Sequence, residues 1–335
     1  MDDQVEDFYE VLVIGGGAAG LSGALTLARA RRSVLVVDAG EPRNAPAAGV
    51  HGLLGLEGTL PGELLERGRA EARSYGAHVT RGRVRSVEGE AGAFVASLED
   101  GRTVGAARVL VATGLVDELP DIPGLAERWG RDVLHCPYCH GWEVRDEPIG
   151  VLATGPMSVH QALMFSQWSA DVLFFANGTT VEDEQAERLA VRGIKVIEER
   201  VAGVETVADA LAGVRLAGGG LVERRALVVA GRMVARVDFL APLGLAPVTH
   251  PMGVGEHLTV DAMGRAEVAG VWVAGNATDV SAQVGASGAA GTLVAAQINA
   301  DLVNTEIDRA LAARRPFSAE AEREVAARVG QGHRL

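Results

Sequence analysis

The stretch Tyr9-Glu10-Val11-Leu12-Val13-Ile14-Gly15-Gly16-Gly17-Ala18-Ala19-Gly20 decides how this chain folds. The apolar run over residues 9–14 reads as a buried parallel strand. Residues 15–20 carry G-x-G-x-x-G, residues 21–31 read as a helix, and a second strand over 33–37 ends at Asp38. Strand, glycine turn, helix, strand and acid, in that order, are the fingerprint of a dinucleotide site. Gly15 permits the tight turn, Gly17 lets backbone approach a pyrophosphate, and Gly20 lets helix and strand pack closely. The helix N-terminus then faces the phosphates, and Asp38 accepts hydrogen bonds from a ribose.

Outward from this unit, a loop from Arg43-Asn44-Ala45-Pro46 to His51-Gly52 would lie above the first crevice, where it could reach the rest of a cofactor; an ordinary surface loop is the alternative. Residues 62–75 are helical by period, with Leu64 and Leu65 on one face. Short strands are expected over 77–80, 84–88 and 94–99, with a hairpin turn at 99–102. Another buried strand, 108–112, is closed by Thr113-Gly114. The proline-rich crossing 119–124 marks a first domain boundary. A second βαβ unit follows, with a strand over 149–153, a helix over 158–169 and a strand over 171–175. Its turn, Ala153-Thr154-Gly155-Pro156-Met157-Ser158, keeps only the central glycine of the motif. No arginine for a 2′-phosphate follows until Arg188, and Glu182-Asp183-Glu184 repels one. This unit keeps the fold and puts NAD(P)H binding in doubt. Further strands are expected over 227–230, 258–261 and 271–274, with a loop and second boundary at 239–247. A small-residue helix runs from Ala282 to Leu302, and the charged, alanine-rich tail 305–335 reads as helical at least in part, with a frayed tail as the alternative.

The only two cysteines lie in His135-Cys136-Pro137-Tyr138-Cys139-His140. Two such thiols exchange two electrons as a disulfide, with the thiolate as nucleophile and a flanking imidazole to move the proton. Three other readings stand beside this one. C-x-x-C-H is also the attachment signature of c-type haem. Two cysteines alternating with two histidines are also half of a zinc site, although so compact a cluster strains tetrahedral geometry. The cysteines are otherwise inert core residues.

The 335 residues favour two domains over one. At 48% apolar and with 43 glycines, the composition suits an α/β protein with many tight turns. A net charge of −13 argues against nucleic acid and anionic membranes as partners. No apolar run is long enough to span a bilayer, and the acidic start at Asp2-Asp3 is unlike a signal peptide. The expected location is the cytoplasm, where a lone C-x-x-C is more often catalytic than structural.

Together, residues 15–20 with Asp38, Ala112-Thr113-Gly114, a C-x-x-C ahead of a second βαβ unit, and Val273-Ala274-Gly275-Asn276 with Gln283-Val284 resemble the low-molecular-weight thioredoxin reductases. The resemblance spans roughly residues 9–303. It implies an α/β protein of two Rossmann-like, three-layer ββα/βαβ domains. The FAD domain is discontinuous (1–119 and 247–303), with an NAD(P)H-binding-like domain inserted at 120–246 and the tail 304–335 at a homodimer interface. It implies that FAD is held by Gly15, Gly17, Ala18, Ala19, Gly20, Asp38, Ala39, Arg43, Asn44, His51, Val84, Ala112, Thr113, Gly114, Gly275, Asn276, Gln283 and Val284. Cys139 matches the flavin-proximal cysteine and Cys136 the one that exchanges with substrate.

Four departures separate the chain from thioredoxin reductases proper. Asn276 and His140 stand where those enzymes have aspartates, Ala153 replaces the first glycine of the second turn, and the arginine cluster after the next strand is missing. These features resemble the FAD-dependent dithiol oxidases of the gliotoxin and holomycin type, nearest the bacterial holomycin type. That branch implies oxidation of a small-molecule dithiol in antibiotic biosynthesis, with molecular oxygen reduced to peroxide. His140, or else His135, would be the base. An NAD(P)H-dependent disulfide reductase and a non-catalytic flavin redox sensor are the competing functions.

Overall fold

In a computed structural model the described residues are 5–314 together with 322, 323, 325 and 326. The opening stretch forms β1 (Phe8–Ile14) and α1 (Ala18–Arg29), followed by β2 (Val34–Asp38), α2 (Pro61–Ser74), β3 (His78–Arg81), β4 (Val84–Glu88), β5 (Phe94–Leu98) and β6 (Thr103–Val111). These six strands lie in the order β3-β2-β1-β6-β5-β4. The pairings among β3, β2, β1 and β6 are parallel, and those of β5 with β6 and β4 are antiparallel. β1 is buried on both faces, as its apolar run requires. The expected strand over 108–112 begins earlier, at Thr103, because its first half is the return strand of the hairpin with β5.

From β6 the chain leaves the first sheet through β7 (Leu115–Glu118). A second sheet is then built from β8 (Val133–Leu134), β9 (Ile149–Leu152), β10 (Val172–Phe175), β11 (Lys195–Ile197) and β15 (Ala226–Val229). It is wholly parallel, in the order β11-β10-β9-β15-β8. Between β8 and β9 lies α3 (Pro137–His140); α4 (Ser158–Phe165) and α5 (Asp183–Val191) connect the next strands. The helix expected over 158–169 stops at Phe165. Ser169 instead donates its hydroxyl to the Glu147 carbonyl at 2.6 Å, which turns the chain toward β10. An antiparallel trio, β12 (Val201–Val207), β13 (Ala210–Leu216) and β14 (Leu221–Glu223), covers one face of this sheet through Leu211, Val214 and Leu216.

β16 (Arg232–Ala235) pairs antiparallel with β7, so the outgoing and returning chains cross side by side. The strand expected over 258–261 does not form. A short hairpin of β17 (Val248–Thr249) and β18 (Glu256–His257) precedes it, and Asp261 Oδ1 accepts the amides of Met263 and Arg265, making a turn. β19 (Val271–Val273) then returns to the first sheet, parallel to the C-terminal half of β6. α6 (Val284–Arg314) follows and runs past the expected end at Leu302. Its small residues have a packing reason: a Cβ on Gly291 would stand 2.0 Å from the Ala19 carbonyl oxygen of α1. Of the tail, residues 315–321, 324 and 327–335 lie outside the described residues.

Candidate active site

The crevice beyond the C-terminal ends of β1 and β6 opens into a cleft of about 1740 Å³ that also reaches the cysteine pair. Pockets for one small ligand run to roughly 300–1,000 Å³, so this cleft has room for a cofactor and a substrate together. Gly15, Gly17, Ala18, Ala19, Asp38, Ala39, Arg43, Asn44, His51, Val84, Ala112, Thr113, Gly114, Gly275, Asn276, Gln283 and Val284 all line it. Gly275 lies against the first turn, where its Cβ would stand 3.0 Å from that of Ala19. Gly20 is not at the surface of the cleft. It sits beneath the turn, where a Cβ would stand 1.9 Å from the Gly15 carbonyl oxygen.

The first turn fits a dinucleotide. Gly15 has φ +106°, and a Cβ there would meet the Ala112 carbonyl oxygen at 2.4 Å. Gly17 caps α1 without any side-chain hydrogen bond, which leaves the first-turn amides for a phosphate. Thr113 Oγ1 is buried without a protein partner. Asp38 is engaged by a group that the sequence reading missed: Arg69 Nη2 donates to its Oδ2 at 3.0 Å, while Gly40 N donates to Oδ1. Asn276 turns its amide into its own loop, donating to the carbonyls of Asp279 and Ala282 at 2.9 Å each.

The second turn is built differently. Ser158, fully buried, accepts the backbone amides of Thr154 (3.0 Å) and Gly155 (3.2 Å) on its hydroxyl oxygen. Those amides occupy the place of phosphate-binding donors in a βαβ turn, and the next residue, Pro156, has none. The turn is satisfied by its own side chain.

Cys136 caps the one-turn helix α3, its carbonyl accepting the amides of Cys139 and His140. Both cysteines are free thiols, half-buried in the cleft. The Cys136 thiol is brought down to about 6, first by a hydrogen bond from the Cys139 thiol, then by the amides of Cys139 and Tyr138 and by Gln283, against the effect of burial. Gln283 Nε2 lies 3.7 Å from Cys136 Sγ. Cys139 is pushed up by sharing its proton with Cys136 and by burial. The pair therefore holds one thiolate, centred on Cys136.

Imidazoles flank the pair. His140 lines the cleft, and burial is the main cause that lowers its pKa; Glu143 opposes this and His51 reinforces it. His135 is lowered by burial and by the Arg43 charge, with Asp117 and the Val229 backbone acting in the opposite sense, and its Nδ1 is buried without a protein partner. Both are neutral at pH 7 and able to accept a proton. Arg43 does not stand alone: it forms a two-pronged ion pair with Asp117, with both contacts at 2.6 Å and Asp117 only 2% exposed. His51 Nδ1 meets Glu57 Oε1 at 2.6 Å. Asp117, Glu57 and Glu143 were invisible to sequence reading, because no spacing rule links them to the residues they face. Among the described residues no group of three or more His, Cys, Asp or Glu side chains is placed to hold a metal ion. Among them, too, no helix is long and apolar enough to cross a membrane.

A dinucleotide cleft shared with an acidic thiol pair defines a flavin-linked dithiol–disulfide enzyme. The chain belongs to the pyridine nucleotide-disulphide oxidoreductase family, whose model matches residues 9–300, and is an FAD-dependent disulfide oxidoreductase. That assignment displaces the haem, zinc and inert readings of the cysteines. The chain is similar to thioredoxin reductase tcpT of Claviceps purpurea, 33% identical over 88% of this chain and 96% of that protein. Among solved structures it resembles HlmI, with 44% identity and a TM-score of 0.87 over 95% of this chain and all of that one. It also resembles an oxidoreductase from Agrobacterium tumefaciens, with 37% identity and a TM-score of 0.83 over 88% and 98% of the two chains.

Proposed function

We propose that the protein is a dithiol oxidase that closes an intramolecular disulfide in a small-molecule dithiol, with oxygen as the final acceptor. The net reaction is R(SH)₂ + O₂ → RS₂ + H₂O₂. The observation that carries this reading is the second turn: Ser158 consumes the amides that a pyridine nucleotide needs, so electrons enter through the thiols instead. FAD, which the first turn and Gln283 would hold, would supply the two-electron acceptor.

The chain's own residues do the rest. His140 takes the proton of the first substrate thiol, and that thiolate attacks Cys136 of the oxidised pair, releasing Cys139. The second substrate thiol then displaces Cys136. A thiol leaves faster the lower its pKa, and of the groups that lower Cys136 the amides of Cys139 and Tyr138 and the Gln283 side chain remain while Cys139 is a thiolate. His135, its pKa lowered first by burial, is the weaker candidate base. The division into a discontinuous FAD domain and an inserted 120–246 domain, a homodimer through the tail, and a cytoplasmic location belong to the same proposal.

A pyridine-nucleotide-dependent disulfide reductase is the second reading, favoured by the name of the Claviceps relative. The test is the flavin spectrum, followed anaerobically on mixing with NADPH, NADH or dithiothreitol and then with air. Bleaching by dithiothreitol alone, with reoxidation and peroxide on aeration, supports the oxidase. Rapid bleaching by NADPH refutes it and restores the reductase.

A further inference from the structure

Oxidation of a dithiol to a disulfide surrenders two protons, and His140 is assigned only the first. We infer that His51, oriented by Glu57, accepts the second, and this inference rests on the dithiol-oxidase reading. His51 stands on the loop opposite the cysteine helix, in a segment pinned by reciprocal backbone bonds (Val50 N to Thr59 O and Gly58 N to Val50 O, both 2.8 Å). Glu57 grips both ends of the turn: Oε1 meets His51 Nδ1 at 2.6 Å, and Oε2 accepts the Gly52 amide at 2.8 Å. These two bonds hold its carboxyl below the usual range, so it is ionised. A carboxylate only accepts, so Nδ1 carries the hydrogen, and in the neutral ring the lone pair is on Nε2.

Nε2 stands 3.6 Å from Glu143 Oε1 of the cysteine segment, a carboxylate that favours the ring once Nε2 has taken up a proton. Gln283 connects this loop to the sulfur: a Cβ on Gly52 would stand 3.7 Å from its Oε1, and its Nε2 is 3.7 Å from Cys136 Sγ. The charged groups facing His51 are Glu57 on its own loop and Glu143 and His140 on the cysteine segment. Glu143 acts on His140 in the sense opposite to His51, so it offsets the repulsion between two protonated imidazoles. In the closing step the second substrate S–H breaks and its proton goes to His51 Nε2. The new thiolate attacks the substrate sulfur bonded to Cys136. The substrate S–S bond forms, the bond to Cys136 breaks, and Cys136 leaves as thiolate with the electron pair.

The experiment mixes oxidised holoenzyme anaerobically with dithiothreitol, or with 2-mercaptoethanol as a monothiol control, and follows acid-quenched mixed disulfide by mass spectrometry. His51→Gln should slow ring closure far more than it slows adduct formation with either thiol. It should close the dithiothreitol ring roughly 10–100-fold more slowly at pH 7, because a thiol of pKa ~8.5 is only a few per cent ionised there. The defect should shrink above pH ~9, where the thiol ionises unaided. Glu57→Gln should show a smaller defect with the same pH dependence, and His140→Gln should slow adduct formation itself. Ring closure by His51→Gln at the wild-type rate, or a defect constant across pH, overturns the inference while leaving the oxidase reading in place. No adduct and no closure in the wild-type protein overturns both.

Discussion

Cys139→Ala isolates the cause of the acidity of Cys136. The Cys139 thiol is the largest contributor holding Cys136 near 6, ahead of the two amides and Gln283. Hydrogen bonds to a charged group contribute about 1.5–3 kcal/mol. At about 1.4 kcal/mol per pKa unit, their loss raises the Cys136 midpoint by roughly one to two units. At pH 7 the wild-type thiol is about nine-tenths ionised and the variant roughly one-tenth to one-half. The assay is the rate of iodoacetamide alkylation of the reduced protein against pH, with Cys136 followed by peptide mapping. The midpoint is the readout, because the plateau rate rises with thiol pKa and partly masks the change. A variant midpoint that stays near the wild-type value, or a wild-type midpoint near that of a free thiol, refutes the reasoning. The sign carries over to stability. A pKa lowered on folding stabilises the reduced protein fully above the unfolded value, and that contribution fades as pH falls through about 6. Cys139, shifted upward, contributes in the opposite sense at alkaline pH.

Ser158→Gly frees the Thr154 and Gly155 amides and should give the second unit NADH affinity measurable by calorimetry; equal affinity in the two proteins contradicts the self-capped turn. Asp117→Asn leaves the Arg43 guanidinium facing a neutral amide in a buried setting and should cost about 2–4 kcal/mol in urea denaturation; a loss below ~0.5 kcal/mol would show that the pair is dispensable. Gly291→Ala drives a methyl into the Ala19 carbonyl and should cost about 1–3 kcal/mol, seen as a lower Tm; an unchanged Tm would mean that α1 and α6 separate freely.

Much of the fold was legible in residues 9–38, because a strand, a glycine turn and an acid make a local pattern that the backbone satisfies within one unit. The strand over 258–261 was misread because apolar alternation does not reveal that Asp261 bonds forward to Met263 and Arg265. At the site, sequence identified the thiol pair, its neighbouring histidines and the first turn. It showed that Ala153 and Ser158 replace glycines, yet not that the Ser158 hydroxyl fills the place of a phosphate. It listed Arg43 and His51 as cofactor contacts without their carboxylate partners.

What the sequence by itself determined is the chemistry available: two thiols, a nucleotide turn, two parallel-sheet units. Tertiary structure alone decided which thiol is acidic, which turn is open and which imidazoles are backed by carboxylates. The physical reason is range. Turns and helix caps are set by neighbours a few residues apart, whereas Arg43 meets Asp117 across 74 positions, where β7 leaves the first sheet, and Gln283 meets Cys136 across 147, which needs the return of the chain through β16 and β19 to the first sheet.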